Sequence, residues 1–489
     1  MQALARSFFP VLNVLGAVVA LFAFSMLVPL AFAFFGGDKG LAAYDTAFLI
    51  TLGSGVALFL ATRHFKRELQ PRDGFMLVTL VWTVLPAYAA LPLSLHLKDL
   101  SFTDAYFEAM SGLSATGATV LTGLDDMPLS INVWRHLLQW FGGMGIIVLA
   151  VAILPLLGVG GSQMYRAEMS GPLKESKLTP RIAETAKGLY TIYLSLSLAC
   201  FFAYRLGGMS WPDALMHMFS TMGLGGFSSH DASFAHFDSV MLESIASVFM
   251  MIAGVNFALH FVSWRYRSPL AYLRDTETRW FFGVTLCGAL LVMVLLMLHG
   301  DYTDAGRAWR HALFNTVSLA TTTGYISVDY EKWPLFAPVL LLFMGTFCTC
   351  AGSTGGGIKM VRALILMKQA RRELVRILHP RVISPVRMNN KIVDNQVIFA
   401  VLAFMLIYGA STIGITFVLL ALGLDPVTAF TAAIGCINNI GPGLALVGPT
   451  GNYGALSDAQ TWVCSFAMLI GRLELMSVLV LFTPDFWRK

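Results

Sequence analysis

Four short runs in this sequence have the composition of a site that could strip water from a cation. They are Ala115-Thr116-Gly117, Leu224-Gly225-Gly226, Thr322-Thr323-Gly324 and Asn439-Ile440-Gly441. None carries a formal charge, so anything they hold must be held by oxygen dipoles. Rings of backbone carbonyls can replace the hydration shell of a bare cation. Glycine permits the dihedrals that turn successive carbonyls to one side. From the residues alone, the ligand is a monovalent cation of unspecified kind.

The four runs are copies of one pattern. Ala105, Ala214, Ala312 and Ala429 each stand twelve residues before the glycine. Ser111, Ser220 and Ser318 stand six before it, and Gly435 takes that place in the fourth, weaker copy. The four glycines are 109, 98 and 117 residues apart. That is far longer than a solenoid period of about 20–50 residues. It suits a unit of two membrane spans with a short re-entrant segment between them.

The rest of the chain has the composition such units need. It has 489 residues, 56% of them hydrophobic and only 12% charged. A soluble domain carries roughly twice that charge. Apolar spans are expected near 8–35, 41–62, 74–96, 134–159, 187–206, 237–263, 279–299, 334–366, 393–422 and 460–484. Each is long enough for a hydrocarbon core of about 30 Å. The stretch from Phe8 to Phe35 is too long for the h-region of a cleaved signal, which is about 7–15 residues, so it is expected to be a first membrane helix. Of the 33 lysines and arginines, 25 fall on the side shared by both termini, seven on the other, and Arg472 inside the last span. By the positive-inside rule both termini are then cytoplasmic.

The expected fold is an all-α polytopic membrane protein with ten transmembrane helices. Residues 1–72 form two N-terminal helices. Four pseudo-symmetric repeats follow at 73–185, 186–277, 278–392 and 393–489, the third with a broken second helix. The stretch before each glycine run is too short to span. Irregular backbone at membrane depth survives only where it lines water or is buried in protein, so the four runs should share an aqueous axis. Entering from outside, each short helix would aim the negative end of its dipole at the ion. Asp104, Asp213 and Asp425 sit near the outer helix ends, and Asp125, Asp126, Asp231, Asp329 and Glu331 would add to an acidic mouth.

Two features look like a gate. Ala351-Gly352-Ser353-Thr354-Gly355-Gly356-Gly357-Ile358-Lys359 interrupts an apolar span. Each glycine costs a helix about 1 kcal/mol relative to alanine. The run is not a phosphate-binding loop, because Lys359 follows no glycine and no Ser or Thr follows it. Arg472, in the last span, is a charge at membrane depth and functional by default; the plain alternative is a local pairing with Glu474.

Taken together, Ser114-Ala115-Thr116-Gly117-Ala118-Thr119, Gly225-Gly226-Phe227-Ser228-Ser229-His230-Asp231, Ala320-Thr321-Thr322-Thr323-Gly324-Tyr325 and Asn438-Asn439-Ile440-Gly441-Pro442-Gly443 resemble the Trk/Ktr/HKT superfamily of potassium transporters. The bacterial TrkH/TrkG membrane subunits are nearest, along essentially the whole chain. The resemblance implies four M1–pore helix–M2 units around a pseudo-fourfold axis, with the twelve run residues as a K+ filter. In that family glycine in the first filter goes with potassium and serine with sodium-selective plant members, so Gly117 favours potassium. It implies that Gly352, Gly355, Gly356 and Gly357 lie in a loop obstructing the pore below the filter, and that Arg472 faces the pore there. It further implies a homodimer in the bacterial inner membrane.

The inner surface carries Lys368, Arg371, Arg372, Arg376, Arg381, Arg387 and Lys391. Such a run suits anionic lipid; the resemblance implies docking of a cytosolic, nucleotide-binding TrkA-type subunit. The chain shows no GxGxxG in a strand-to-helix context, so no cofactor is expected in it. The net charge of +5 is set by topology and signals no nucleic acid. A membrane enzyme is disfavoured: His217, His230, His236, His260 and His311 are scattered, without an HExxH. The six cysteines lie in apolar segments and read as small hydrophobes. A carrier coupled to H+ or Na+, or a loosely selective cation pathway, stays open.

Overall fold

The computed structural model describes residues 2–65, 69–148 and 182–488. Among these the regular structure is helical apart from the antiparallel pair Arg387–Met388 with Lys391–Ile392. Six helices are long and apolar enough to cross a membrane: Phe8–Gly36, Leu41–Thr62, Arg72–His96, Ala186–Leu206, Thr276–His299 and Asn395–Ala421. Only 22% to 33% of each apolar window is buried inside the chain. The remaining apolar surface faces outward, where lipid would cover it at no cost.

Two further spans expected to be continuous are sharply bent. Val240–Ala253 and Phe257–Arg265 meet at 91°, and Asp458–Arg472 and Met476–Phe482 at 107°. At the first bend Asn256 starts a new helix, its side chain accepting the Ala258 N–H at 2.8 Å. At the second, Glu474 and Leu475 adopt left-handed φ values of 57° and 48°, which an α-helix cannot continue through. Counting each bent pair as one gives eight candidate spans. The remaining two take other forms. The span expected at 134–159 is a helix, Leu129–Val148, whose continuation lies outside the described residues. The one at 334–366 is two helices, Phe336–Phe347 and Met360–Leu378, joined by irregular backbone. Among the basic residues used for orientation, Lys66, Arg67, Arg166, Lys174, Lys177, Arg181 and Lys489 also lie outside the described residues.

Four short helices hold the runs: Phe102–Leu113, Trp211–Gly223, Ala305–Ala320 and Pro426–Ile437. Their lengths follow from local chemistry at both ends. Each starts at a side-chain cap. Ser101 and Ser210 accept the Asp104 and Asp213 N–H groups at 3.1 and 3.2 Å. Asp304 accepts from Gly306 and Arg307, and Asp425 from Val427 and Thr428, at 2.9–3.3 Å. Such a cap contributes about 1 kcal/mol.

Each also ends the same way. Ala115, Leu224, Thr322 and Asn439 are left-handed, with φ of 51°, 53°, 60° and 52°. The N–H of the next residue reaches back to the carbonyl six before the glycine: Thr116 to Ser111, Gly225 to Ser220, Thr323 to Ser318 and Ile440 to Gly435, at 2.8–2.9 Å. This 6→1 bond is the Schellman ending. It explains the position six before the glycine: the backbone carbonyl is what is used, so glycine can replace serine there. All six cysteines are free, five of them buried.

Candidate functional site

The four runs come together. An alanine Cβ at Gly117 would run into the Gly225 carbonyl oxygen, at Gly226 into that of Thr323, and at Gly324 into that of Ile440. At Gly441 it would lie 2.6 Å from the Thr116 carbonyl oxygen. Each run therefore abuts the next, first to second to third to fourth and back to first, and the ring closes. Glycine is required twice over, since φ is 85°, 77°, 85° and 93° at these four positions. Left-handed backbone two residues before and again at each glycine alternates the φ sign and gives all four runs one shape.

Side chains fix the ring from behind. Gln139 Nε2 donates to the Gly225 carbonyl at 2.6 Å, and Gln139 Oε1 accepts the Phe227 N–H at 3.1 Å. The Tyr453 hydroxyl donates to the Gly441 carbonyl at 2.8 Å. A carbonyl oxygen has two lone pairs, so these bonds orient it and leave one free. Asn439 Nδ2 donates to Thr116 Oγ1 at 2.9 Å, tying the fourth run to the first.

One side of the ring is crossed by the irregular segment between Phe336–Phe347 and Met360–Leu378. Gly356 N–H donates to Thr322 Oγ1 at 2.8 Å, and Thr354 Oγ1 to the Met222 carbonyl at 3.0 Å. A Cβ on Gly356 would strike the Asn438 carbonyl oxygen. Gly352 and Gly357 are left-handed, at 73° and 80°; Gly355 and Gly356 are needed for close approach instead. Gly352 O accepts the Phe257 N–H at 3.0 Å, and buried Glu277 accepts the Ala351 and Val361 N–H groups at 2.8 and 3.0 Å. Arg472 is 1% exposed. Its Nη1 donates to the Thr354 carbonyl at 2.9 Å and its Nη2 to the Gly142 carbonyl at 2.8 Å. Glu474 lies elsewhere, with Arg362 Nη2 at 2.7 Å. Among the described residues no carboxylate pairs with Arg472, so the local pairing is not what holds it. The segment thus reaches Met222 on the second short helix, Thr322 in the third run and Asn438 beside the fourth, and through Arg472 it is tied to Gly142 on the helix Leu129–Val148.

Comparison with known proteins gives this arrangement a family. The model of the TrkH family, described as a cation transport protein, matches residues 42–489. The chain belongs to the TrkH family. It is 45% identical over 482 residues to the Trk system potassium uptake protein TrkH of Vibrio parahaemolyticus, covering 98% of this chain and 99% of that one. It is 37% identical over 480 residues to the Trk system potassium uptake protein TrkG of Escherichia coli, with 98% of each covered. The crystal structure of the potassium transporter TrkH from Vibrio parahaemolyticus superposes with a TM-score of 0.91 at 42% identity, covering 98% of this chain and all of that one. The TrkH family is one of transporters and not of enzymes, which removes the membrane-enzyme reading.

On the opposite side of the ring, where the chain leaves each glycine, this TrkH-family chain builds a collar. Three of the five acidic residues named for an acidic mouth also act here as staples between loops. Asp231 accepts the Gly123 and Leu124 N–H groups at 2.9 and 3.2 Å, and Asp125 accepts from Asp231 N–H at 3.2 Å. Glu331 accepts the Ala445 N–H at 2.8 Å. With Ala235 N–H to Ile326 O at 3.2 Å and Tyr453 N–H to Thr119 O at 2.9 Å, the collar closes in the same cyclic order as the ring. Asp104, Asp213 and Asp425 lie in the first turns or caps of their helices. Hydrogen bonds from Thr428 hold the Asp425 carboxyl below its usual range. A cavity of about 90 Å³ above the ring has Gly117, Gly226, Gly324 and Pro442 among its lining residues.

Sequence reasoning missed a buried ion pair beside that cavity. Arg135 Nε donates to Glu108 Oε1 at 2.7 Å, with both side chains at most 1% exposed. Glu108 also accepts from Thr119 Oγ1 and the Val120 N–H at 3.0 Å. Arg135 is one of the seven basic residues that the sequence places on the outer side. The usable signal was Glu108 itself, an ionisable residue inside an apolar short helix.

Proposed function

We propose that the chain conducts K+ for uptake across the bacterial inner membrane, through a filter made of residues 115–117, 224–226, 322–324 and 439–441. One observation carries the reading: four uncharged runs close a ring in which each glycine lies against the carbonyl of the neighbouring run. Four short helices end at that ring, so the negative ends of their dipoles favour a cation there. The Trk names of the relatives specify potassium, and Gly117 agrees with that choice. In this reading the chain has ten spans arranged as two N-terminal helices and four repeats, both termini are cytoplasmic, and the collar faces outward. The loop with Gly352, Gly355, Gly356 and Gly357 then obstructs the path below the filter, and Arg472 pins it with a fixed positive charge. The molecule is a homodimer in lipid, and its basic inner surface docks a TrkA-type cytosolic subunit that holds any nucleotide.

The test is flux in proteoliposomes with K+, Rb+ or Na+ as the sole permeant cation. K+ and Rb+ are expected to pass well ahead of Na+, and Gly117→Ser to admit more Na+. Equal K+ and Na+ flux in the unaltered protein sinks the potassium filter. A reversal potential set by K+ alone supports conduction; one that follows a H+ or Na+ gradient means coupled transport.

A further inference from the structure

Three metal-ligating side chains that the ring does not use meet on the collar. Asp125, His230 and His236 each offer one ligand atom, and the three atoms lie within 4.8 Å of one another. The two imidazoles stack face to face, with centroids 3.5 Å apart and planes 4° from parallel. Phe237 pins both, its ring edge-on to each at centroid distances of 5.2 Å. Both Nδ1 atoms face Asp125 Oδ1, that of His230 in direct contact and that of His236 at 3.7 Å. Asp125 and His236 are 43% and 45% exposed, His230 only 16%. The group is backed by protein on one side and open to solution on the other.

We propose that Asp125, His230 and His236 bind a divalent transition metal, zinc above all, with water in the fourth position. Two imidazole nitrogens and a carboxylate oxygen are a donor set zinc takes, at about 2.0–2.2 Å from each. Tetrahedral donors at that range stand roughly 3.4 Å apart, and lone pairs of parallel rings do not converge, so the half-exposed His236 must turn out of its stack with His230 to close the site. The supporting shell is present. His230 Nε2 is buried without a hydrogen-bond partner and faces Asp213 Oδ1 at 3.6 Å. Metal-bound histidines commonly turn their second N–H to a carboxylate, which leaves the other nitrogen free for the ion. Asp213 is itself held by Ser229 and Ser210 hydroxyls at 2.8 and 2.6 Å, in the first turn of the second short helix.

The site joins the loop after the first run to the loop after the second, and His230 lines the cavity above the ring. A bound dication would staple these loops and place positive charge at the cation entrance. That consequence, unlike the site itself, rests on the proposed function. Zinc added on the collar side is then expected to slow flux.

The experiment is titration of purified, untagged protein with zinc, followed by calorimetry and by thermal unfolding. One saturable site per chain is expected, with zinc raising the unfolding temperature. His236→Ala, at a half-exposed position, should keep the fold and weaken binding about tenfold or more. No saturable site, or unchanged binding in His236→Ala, overturns the proposal. Zinc inhibition of flux that His236→Ala removes supports both the site and its place on the cation path. Stoichiometric zinc binding without any effect on flux upholds the site and counts against a cation path beneath it.

Discussion

Gly441→Ala separates backbone strain from filter geometry. Alanine at a φ of 93° costs roughly 1–2 kcal/mol on conformational grounds. Its Cβ would also sit 2.6 Å from the Thr116 carbonyl oxygen, where real Cβ atoms essentially never come within 3.0 Å. The oxygen must therefore retreat by about 0.4 Å or more, near the roughly 0.5 Å tolerance of a preorganised site. Gly300 supplies the control: its φ is 82°, and a Cβ there meets nothing within 4 Å. Gly300→Ala likewise places a side chain on positive-φ backbone and moves no carbonyl. The paired assay is thermal unfolding in detergent and Rb+ flux in proteoliposomes. A loss of thermal stability is expected for both variants, the larger for Gly441→Ala, with flux or K+/Na+ selectivity collapsing, by about tenfold for 1.4 kcal/mol of lost ion stabilisation, only for Gly441→Ala. Selective conduction at the unaltered level in Gly441→Ala would refute the reasoning, and so would an equal functional loss in Gly300→Ala.

Two further outcomes test other parts of the site. Arg472→Ala removes both hydrogen bonds that tie the Thr354 and Gly142 carbonyls together, and with them the fixed charge; flux without any partner subunit should rise, and unchanged flux removes the arginine from the gate. Glu108→Gln strands Arg135 in the interior, and breaking a buried pair costs about 3–5 kcal/mol. The double variant Glu108→Gln/Arg135→Met should recover much of that loss in thermal unfolding, whereas strictly additive losses would mean that the two residues act separately.

The TrkH-family chain announces in its sequence whatever depends on neighbours along the chain. Apolar length marks the six helices that pass as spans, because hydropathy is summed over contiguous residues. The alanine and serine or glycine at fixed distances from each run reflect helix length and a 6→1 terminal bond, both local. Contacts between distant segments leave no such trace. The order in which Gly117, Gly226, Gly324 and Gly441 meet their neighbours' carbonyls is set by packing across some hundred residues or more. So are the Arg472 bonds to Thr354 and Gly142, 118 and 330 residues away. Glu474 stands two residues from Arg472 yet binds Arg362, since the left-handed turn at Glu474 and Leu475 carries the chain off in a new direction. Asp125, Asp231 and Glu331 looked like free charges, because solvated and hydrogen-bonded carboxylates have the same sequence. The bends at Asn256 and Leu475 were hidden for a related reason: each lies inside an apolar window, and hydropathy measures apolar length without sensing direction. Which groups face one another was decided only when the chain closed on itself.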